Sequence, residues 1–449
     1  MSSTILYEKE EYRLIMLLPE ANRILMEQES LVRRLPRLLI PRGTRPARAL
    51  QQLIGDTWSL TSVVLDVLPS GGDVAASAVV EIRQRGWNMP NGLEDVDLDG
   101  GLLRHDELSS VQHALSCDIA AGPPFQRFGW VDEAMEWLRT ALNRTFPDFN
   151  GEIRQSNAGG AFALARFETV RGPAYWLKAA GPPNQSEFAL TTWLADHYPR
   201  FLPPVRAARS DWNAWVMEEV GTSLTDSATI SEIARVGRTL AAFQKESETG
   251  VDTFLRIGCS DQRTGTLQDH IRGVFHYLAD ILETQPQDHQ PALTLKRLEE
   301  VESRVRSACD MMQQIGVPDA INNNDMKLGN ILCDETRCVF TDWCHAYVGN
   351  PFLTFQHLHT YLRRTNGLLA EHFKSAYASQ WSSRLDSHQI SLAFTLAPLL
   401  ATYAYLCGDG RWLNSSIRHE AGSQNHSLIL LKHLNRAASD HQLLEILCD

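Results

Sequence analysis

The sequence lacks an excess of positive charge. Lys and Arg number 42 against 54 Asp and Glu, so the net charge is -12 over 449 residues. This balance excludes a nucleic-acid binder that works through the overall field of the protein. Six arginines between Arg33 and Arg48 form a local basic stretch, which we interpret as a solvated face.

The sequence also lacks an N-terminal apolar segment preceded by positive charge and any CxxC pair. The first absence argues against a secretory signal. The most apolar stretch, Leu392–Cys407, contains Pro398 and is short for a membrane span, so we expect a buried helix there and no membrane partner. The eight cysteines have no zinc-ligand spacing, and we predict free thiols in a cytoplasmic protein.

The length predicts two or three folding units. In residues 1–145, apolar runs at 12–18, 60–68 and 78–82 predict strands, and helical periodicity appears at 45–54 and 130–142. The Gly- and Asp-rich segment 86–106 predicts a loop. We therefore expect a small α+β N-terminal domain. It has no motif that we can interpret, so binding a protein partner, covering an acceptor site and forming a dimer all stay open as its role.

A break at residues 146–151 predicts a domain boundary. Strand-like runs follow at 152–155, 161–169, 174–178, 205–208 and 214–218, with a helical segment at 187–198. From about residue 227 onward the pattern is helical, apart from residues 320–345.

The most informative segment runs from Ile321 to Trp343 and reads INNNDMKLGNILCDETRCVFTDW. Asp325 and Asn330 lie in a loop, a short strand follows, residues 334–337 form a turn, and Asp342 ends the return strand. A hairpin folds its two ends together, so we expect Asn330 and Asp342 to meet in space.

These three residues are the set that phosphoryl transfer requires. A carboxylate and an amide oxygen suit Mg²⁺, which is a hard cation, and Asp342 and Asn330 offer them. Another carboxylate must orient the acceptor hydroxyl and take its proton, and Asp325 fits that role.

This segment resembles the aminoglycoside phosphotransferase and choline kinase branch of the protein-kinase-like superfamily. The branch carries a His-x-Asp-x-x-x-x-Asn loop followed by a hairpin that ends in Asp-Trp. Residues 323–330 match the loop from Asp325 onward, Asp342-Trp343 matches the metal-binding pair, and Gly349-Asn350-Pro351 matches a Gly-x-Pro turn. The resemblance implies a two-lobed α+β kinase-like fold, with a β-rich N-lobe at 146–222 and a helical C-lobe at 223–449 that contains the catalytic loop 321–343.

Two residues depart from the small-molecule kinase pattern. Asn323 stands where the family has His, and we expect it to brace the loop by hydrogen bonds. Lys327 follows the catalytic Asp at the spacing found in serine/threonine protein kinases, which implies an ammonium near the γ-phosphate. Lys327 is therefore a candidate ATP-binding residue, and it leaves a protein acceptor open.

Upstream residues fit the nucleotide-binding part of such a fold. Ser156, Asn157 and Gly159 lie in a loop between two predicted strands, where backbone N–H groups can approach phosphate oxygens. Lys178 ends an apolar strand, where a charge is costly unless it is paired. Glu187, nine residues later, begins the next helix, and the resemblance implies that it holds Lys178 against the α- and β-phosphates.

The adenine base is expected to meet backbone groups from Glu218 to Val220, at the end of the last N-lobe strand. Our first hypothesis is an ATP- and Mg²⁺-dependent kinase that acts on a hydroxyl of an aminoglycoside-like, sugar or amino-alcohol acceptor. An atypical protein kinase and a non-catalytic, pseudokinase-type binding protein are the alternatives.

Overall fold

The computed structural model describes residues 8–18, 23–29, 32–71, 75–83, 89–116, 123–142, 149–284, 293–414 and 416–447. The chain divides into two compact units. The first unit comprises residues 1–192 and 203–219, and the second comprises residues 193–202 and 220–449. The boundary expected at residues 145/146 lies outside the described residues.

The first unit begins with a mixed sheet. Its strands are β1 (Lys9–Leu17), β2 (Arg23–Glu29), β3 (Val32–Arg34), β4 (Arg37–Pro41), β5 (Ser62–Leu68), β6 (Ala76–Ile82) and β7 (Leu93–Asp97). They pair in the order β3-β2-β1-β6-β5, with β4 also on β1 and β7 on β2. The prediction of a loop over residues 86–106 is wrong for β7, which pairs antiparallel with β2 and buries Leu93.

Three helices accompany this sheet: α1 (Pro46–Trp58), α2 (His105–Leu115) and α3 (Trp130–Ala141). Side chains alternate between the faces of a strand. Leu14 and Met16 of β1 therefore share a core with Leu50 of α1, whereas Ile15 and Leu17 belong to a second core that includes α2 and α3.

A second, fully antiparallel sheet follows in the first unit. Its strands are β8 (Phe149–Asn157), β9 (Phe162–Thr169), β10 (Tyr175–Ala180), β11 (Val205–Arg209) and β12 (Ala214–Glu218), in the order β11-β12-β10-β9-β8. Helix α4 (Ser186–His197) follows β10. One face of this sheet, with Ala165, Leu177 and Val216, packs into the same core as Ile15 and Leu17 of the first sheet.

The second unit is mainly helical. Its helices are α5 (Ile230–Ser247), α6 (Val251–Ile257), α7 (Thr264–Thr284), α8 (Leu295–Ile315), α9 (Pro351–Thr365), α10 (Gly367–Trp381), α11 (Ser387–Gly408), α12 (Ala421–Ala438) and α13 (His441–Leu447). Its strands are β13 (Thr222–Ser223), β14 (Ser260–Gln262), β15 (Ala320–Asn323), β16 (Ile331–Cys333), β17 (Cys338–Phe340) and β18 (Ala346–Gly349). They form two small sheets, β13-β16-β17 and β14-β18-β15. The predicted α+β class, with β-rich elements before helical ones, is confirmed.

Helix α11 contains the apolar stretch that the sequence indicated. In the described part of the chain it is the one helix long and apolar enough to cross a membrane, by length and composition alone, and 61% of its most apolar window is buried inside the protein. Leu396, Leu400 and Tyr403 are among its buried residues.

The cysteines of the β16–β17 hairpin are joined. Cys333 and Cys338 lie directly opposite each other in the strand register, with their Cα atoms 4.2 Å apart, and form a disulfide. The prediction of free thiols is wrong for this pair, because antiparallel pairing places the two side chains on the same face. Burial raises the pKa of the free thiols of Cys259, Cys309 and Cys407 to about 12.

Candidate active site

The loop after β15 is closed on itself by an asparagine. Asp325 lies in the turn, a short 3₁₀ turn spans Leu328–Asn330, and β16 begins at the next residue. Asn330 is nearly buried, and its Nδ2 donates to the main-chain oxygen of Asp325 at 2.9 Å. The same Nδ2 lies 3.5 Å from Oδ2 of Asp325. The loop therefore holds both predicted side chains in one place.

The hairpin brings Asp342 to this loop. β16 and β17 pair antiparallel, and beyond their ends the N–H of Thr341 donates to the main-chain oxygen of Asn330 at 2.9 Å. Asp342 follows immediately and has a positive φ of 66°, a conformation that is uncommon for residues other than glycine. The predicted meeting of the two hairpin ends is thus what the second unit shows.

Asn323 connects the two aspartates through their main chains. Its Nδ2 donates to the carbonyl oxygen of Asp342 at 2.7 Å, and its Oδ1 accepts from the N–H of Asp325 at 2.8 Å. Asn323 is fully buried, and the Thr354 hydroxyl on α9 bonds to both its N–H and its carbonyl oxygen. An asparagine at the family's His position therefore braces the loop by hydrogen bonds.

The carboxylate of Asp325 forms an ion pair with Lys327. Nζ of Lys327 lies 2.6 Å from Oδ2 of Asp325, and the two side chains are 49% and 36% exposed. Both groups are therefore open to solvent and to an incoming ligand.

His357 on α9 was missed by the sequence analysis. Burial lowers the pKa of His357 to about 4, and the negative charge of Asp325 opposes that shift. The imidazole is therefore neutral near pH 7, and its Nε2 is buried with no hydrogen-bond partner among the described residues. Helical spacing from the Gly-x-Pro turn was the available signal, because His357 lies on the second turn of the helix that this turn begins.

In the first unit, Lys178 and Glu187 form a buried ion pair. Nζ of Lys178 lies 2.5 Å from Oε1 of Glu187, and the side chains are 8% and 1% exposed. Strand β10 points Lys178 away from the apolar face of its sheet, and Glu187 lies in the first turn of α4. Trp215 on β12 lies beside the ammonium, with its ring centroid 5.8 Å from Nζ, a distance at which the ring favours the cation.

The predicted glycine loop, residues 156–160, begins inside β8, because Ser156 and Asn157 are the last two residues of that strand, and residues 158–161 connect it to β9. The β8–β9 register shifts between Gln155 and Asn157, which leaves Ser156 as an extra residue in the strand. Gly159 has a φ of 113°, which favours glycine because it has no Cβ. Of the predicted loop residues, only Gly159 therefore lies in the connection, and the prediction of a loop is wrong for Ser156 and Asn157, which form the irregular end of β8.

The expected adenine contacts fall at the end of β12. The N–H of Glu218 donates to Pro204 and the N–H of Glu219 to Ala174. The N–H groups of Glu218 and Glu219 are therefore already used in hydrogen bonds within the first unit.

The donor set of the second unit fits Mg²⁺. Asp342 offers a carboxylate, and Asn330 offers its amide oxygen Oδ1 because its Nδ2 donates to Asp325. These are the oxygen ligands that a hard cation prefers.

No family model matches this chain, and no curated protein matches it. Solved structures do match. A macrolide 2'-phosphotransferase from Brachybacterium faecium has a TM-score of 0.44 at 15% identity, covering 67% of this chain and 97% of its own. A choline kinase from Cryptosporidium parvum has a TM-score of 0.48 at 11% identity, covering 71% and 100%. An aminoglycoside phosphotransferase from Alicyclobacillus acidocaldarius has a TM-score of 0.43 at 16% identity, covering 67% and 94%. These structures carry names from the branch that the catalytic segment resembles.

Proposed function

We propose that this protein is an ATP-dependent phosphotransferase that moves the γ-phosphoryl group to a hydroxyl of a small molecule. One observation carries the proposal. The Asn323 side chain bonds to the main chains of Asp325 and Asp342, and the Asn330 side chain bonds to Asp325, so the three residues are held together. A loop built only for stability has no need to hold two carboxylates and an amide oxygen together. We also propose that it acts in the cytoplasm on a soluble acceptor.

Each residue has one role in this scheme. Asp325 orients the acceptor hydroxyl and takes its proton while the hydroxyl oxygen forms a bond to the γ-phosphorus. The bond from that phosphorus to the β–γ bridging oxygen breaks, and ADP leaves. Lys178, held by Glu187, neutralises the α- and β-phosphates, and the N–H groups of the glycine loop contact phosphate oxygens.

Mg²⁺ held by Asn330 and Asp342 would neutralise charge on the phosphates. Lys327 would exchange its partner, from the carboxylate of Asp325 to the γ-phosphate. The half-exposed side chain permits this exchange without a change in the backbone. The neutral imidazole of His357 supplies a buried hydrogen-bonding group within the electrostatic influence of Asp325.

The test is thermal unfolding with ATP, with and without Mg²⁺. A ligand at about 100 times its Kd adds about 2.7 kcal/mol of stability. We expect a Mg²⁺-dependent rise in Tm for the wild type and for Asp325→Ala, and a rise that no longer depends on Mg²⁺ for Asp342→Asn. Asp325→Ala should lose transfer to every acceptor that the wild type phosphorylates, because the proton acceptor is gone, and should keep ATP binding, since the base does not hold ATP.

Asp334→Asn is the matched control. Asp334 lies in the turn of the same hairpin, and its carboxylate accepts hydrogen bonds from Thr336 and Arg337. The variant removes one negative charge from the hairpin without touching its open end, so the Mg²⁺ dependence should stay. Loss of ATP binding in Asp325→Ala would contradict the assigned base. If the protein binds ATP but phosphorylates no small alcohol, protein acceptors are the next to test. If it binds ATP and transfers the phosphoryl group to no acceptor of either kind, it is a pseudokinase.

A further inference from the structure

Residues of the N-terminal domain pack against the glycine loop, residues 156–160, and against the part of β8 that precedes it. Gln155 is the residue just before the loop, and it is 1% exposed. Its side chain binds both main-chain groups of Val64 on β5: Oε1 accepts from the N–H at 2.6 Å, and Nε2 donates to the carbonyl oxygen at 2.8 Å. The amide side chain of Gln155 thus makes the two hydrogen bonds that a neighbouring strand would otherwise make to Val64, and it links the two sheets.

Gln51 on α1 makes a second connection. Its Oε1 accepts from the N–H of Gln155 at 2.9 Å, and its Nε2 donates to the carbonyl oxygens of Ile153 at 2.9 Å and Ser62 at 3.0 Å. We call Gln51 and Gln155 together the glutamine clamp. The clamp fixes β8 on both sides of residue 154, directly before the extra residue Ser156.

Side chains of the N-terminal domain also reach the glycines. A Cβ on Gly160 would lie 3.0 Å from Oε1 of Gln126, and a Cβ on Gly159 would lie 3.4 Å from Oδ1 of Asp66. Asp66 is itself held in place, since the Ser110 hydroxyl donates to its Oδ2 at 2.7 Å. The loop therefore packs against fixed groups instead of projecting into solvent.

We infer that the N-terminal domain, through Gln51 and Gln155, pre-organises the glycine loop for nucleotide phosphates, so that these glutamines are positioning residues for ATP. This inference rests on the proposed function. A free glycine-containing loop would lose conformational entropy when it closes on phosphates, and the clamp removes part of that loss before the ligand arrives. The clamp acts on the phosphates and leaves the adenine contacts unaffected.

The test compares Gln51→Ala and Gln155→Ala with the wild type in the full chain. Calorimetry measures the affinity for Mg²⁺–ATP, and competition against it measures the affinity for adenosine. We expect ATP affinity to fall about tenfold or more, which corresponds to about 1.4 kcal/mol, while adenosine affinity stays within about twofold. Amide hydrogen exchange of the nucleotide-free protein should be faster in residues 156–160 of both variants.

Arg104→Ala is the control for a general loss of stability. Arg104 donates to the carbonyl oxygen of Ala75 and to the Ser77 hydroxyl, within the N-terminal domain, and it bonds to neither Gln51 nor Gln155 in these contacts. It should leave both the ATP-to-adenosine ratio and the exchange of residues 156–160 unchanged.

An equal fall in ATP and adenosine affinity in the clamp variants, or the same effect from Arg104→Ala, would overturn the inference. Unchanged exchange in residues 156–160 would overturn it as well. If the wild type binds no nucleotide, the proposed function fails, and the exchange measurement alone then decides whether the clamp orders the loop.

Discussion

The side chain of Asn323 provides the sharpest test of how the two aspartates are held. Asn323→Ala removes the acceptor for the Asp325 N–H and the donor to the Asp342 carbonyl, at 2.8 and 2.7 Å. Leaving a buried polar group without its partner costs about 1–3 kcal/mol. With two such groups in one loop, we expect the free energy of unfolding to fall by about 2–5 kcal/mol, a large part of the roughly 5–15 kcal/mol of a typical domain.

The matched control is the neighbouring Asn322→Ala. Asn322 is equally buried and donates to the carbonyl oxygens of Ala320 and Gly349, but it bonds to neither aspartate. Urea unfolding should show that both variants are destabilised. Only Asn323→Ala should also weaken Mg²⁺-dependent ATP binding under conditions where the protein is fully folded, because only there is the main chain of Asp342 released.

A stability change below about 0.5 kcal/mol for Asn323→Ala would refute the hydrogen-bond argument. Equal loss of ATP affinity in both variants would refute the specific link between Asn323 and the proposed metal ligand Asp342.

Three further predictions concern other charged and sulfur-containing groups. Burial raises the pKa of Glu81 from 4.5 to about 7. Between these pH values the folded state keeps a proton that the unfolded state has released. The free energy of unfolding therefore falls by about 3 kcal/mol as pH rises through that window. Urea unfolding at pH 5 and pH 8 should show a smaller difference in stability for Glu81→Gln than for the wild type, and the variant should be the more stable protein at pH 8. The same difference in both proteins would contradict the raised pKa. Lys178→Met leaves the Glu187 carboxylate facing an apolar group and should lower the free energy of unfolding by about 3–5 kcal/mol. Adding Glu187→Gln should restore part of that stability. If the effects of the two substitutions are simply additive in a double-mutant cycle, the pair is not coupled. Iodoacetamide should label Cys333 and Cys338 in the unfolded protein only after reduction, and labelling without a reductant, detected by peptide mass spectrometry, would contradict the disulfide.

The geometry of the segment 321–343 was predictable because its signals are local. Asp334, Thr336 and Arg337 form the turn with hydrogen bonds between residues two or three apart. The strand pairing that results leads to the open end of the hairpin, where the N–H of Thr341 donates to the carbonyl oxygen of Asn330 and Asp342 follows. A reader of the sequence needs only turn chemistry and strand alternation to expect that geometry.

The glutamine clamp was not predictable by the same means. Gln155 and Val64 are 91 residues apart, and nothing in the local pattern of β8 distinguishes a buried glutamine from an exposed one. Strand β7 was missed for a related reason. Its acidic residues Glu94 and Asp95 suggested a solvated loop, but Arg33 and Arg23 on neighbouring strands form ion pairs with them. Long-range pairing, which a single sequence does not reveal, decided both cases.

At Asp342, the residue types that suit the backbone conformation best lack the carboxylate that the proposed chemistry requires. A φ of 66° lies in the left-handed region, which residues with a Cβ adopt rarely, and holding a residue other than glycine there costs about 1–3 kcal/mol. Glycine at this position would relax the backbone but remove the carboxylate, whereas asparagine would tolerate the conformation better than most residues and still lose the charge. Selection for stability alone would therefore move this position away from aspartate. A laboratory evolution experiment that selects only for thermal resistance should therefore replace this aspartate early, and the resulting protein would be more stable but would lack the carboxylate that we propose as a metal ligand.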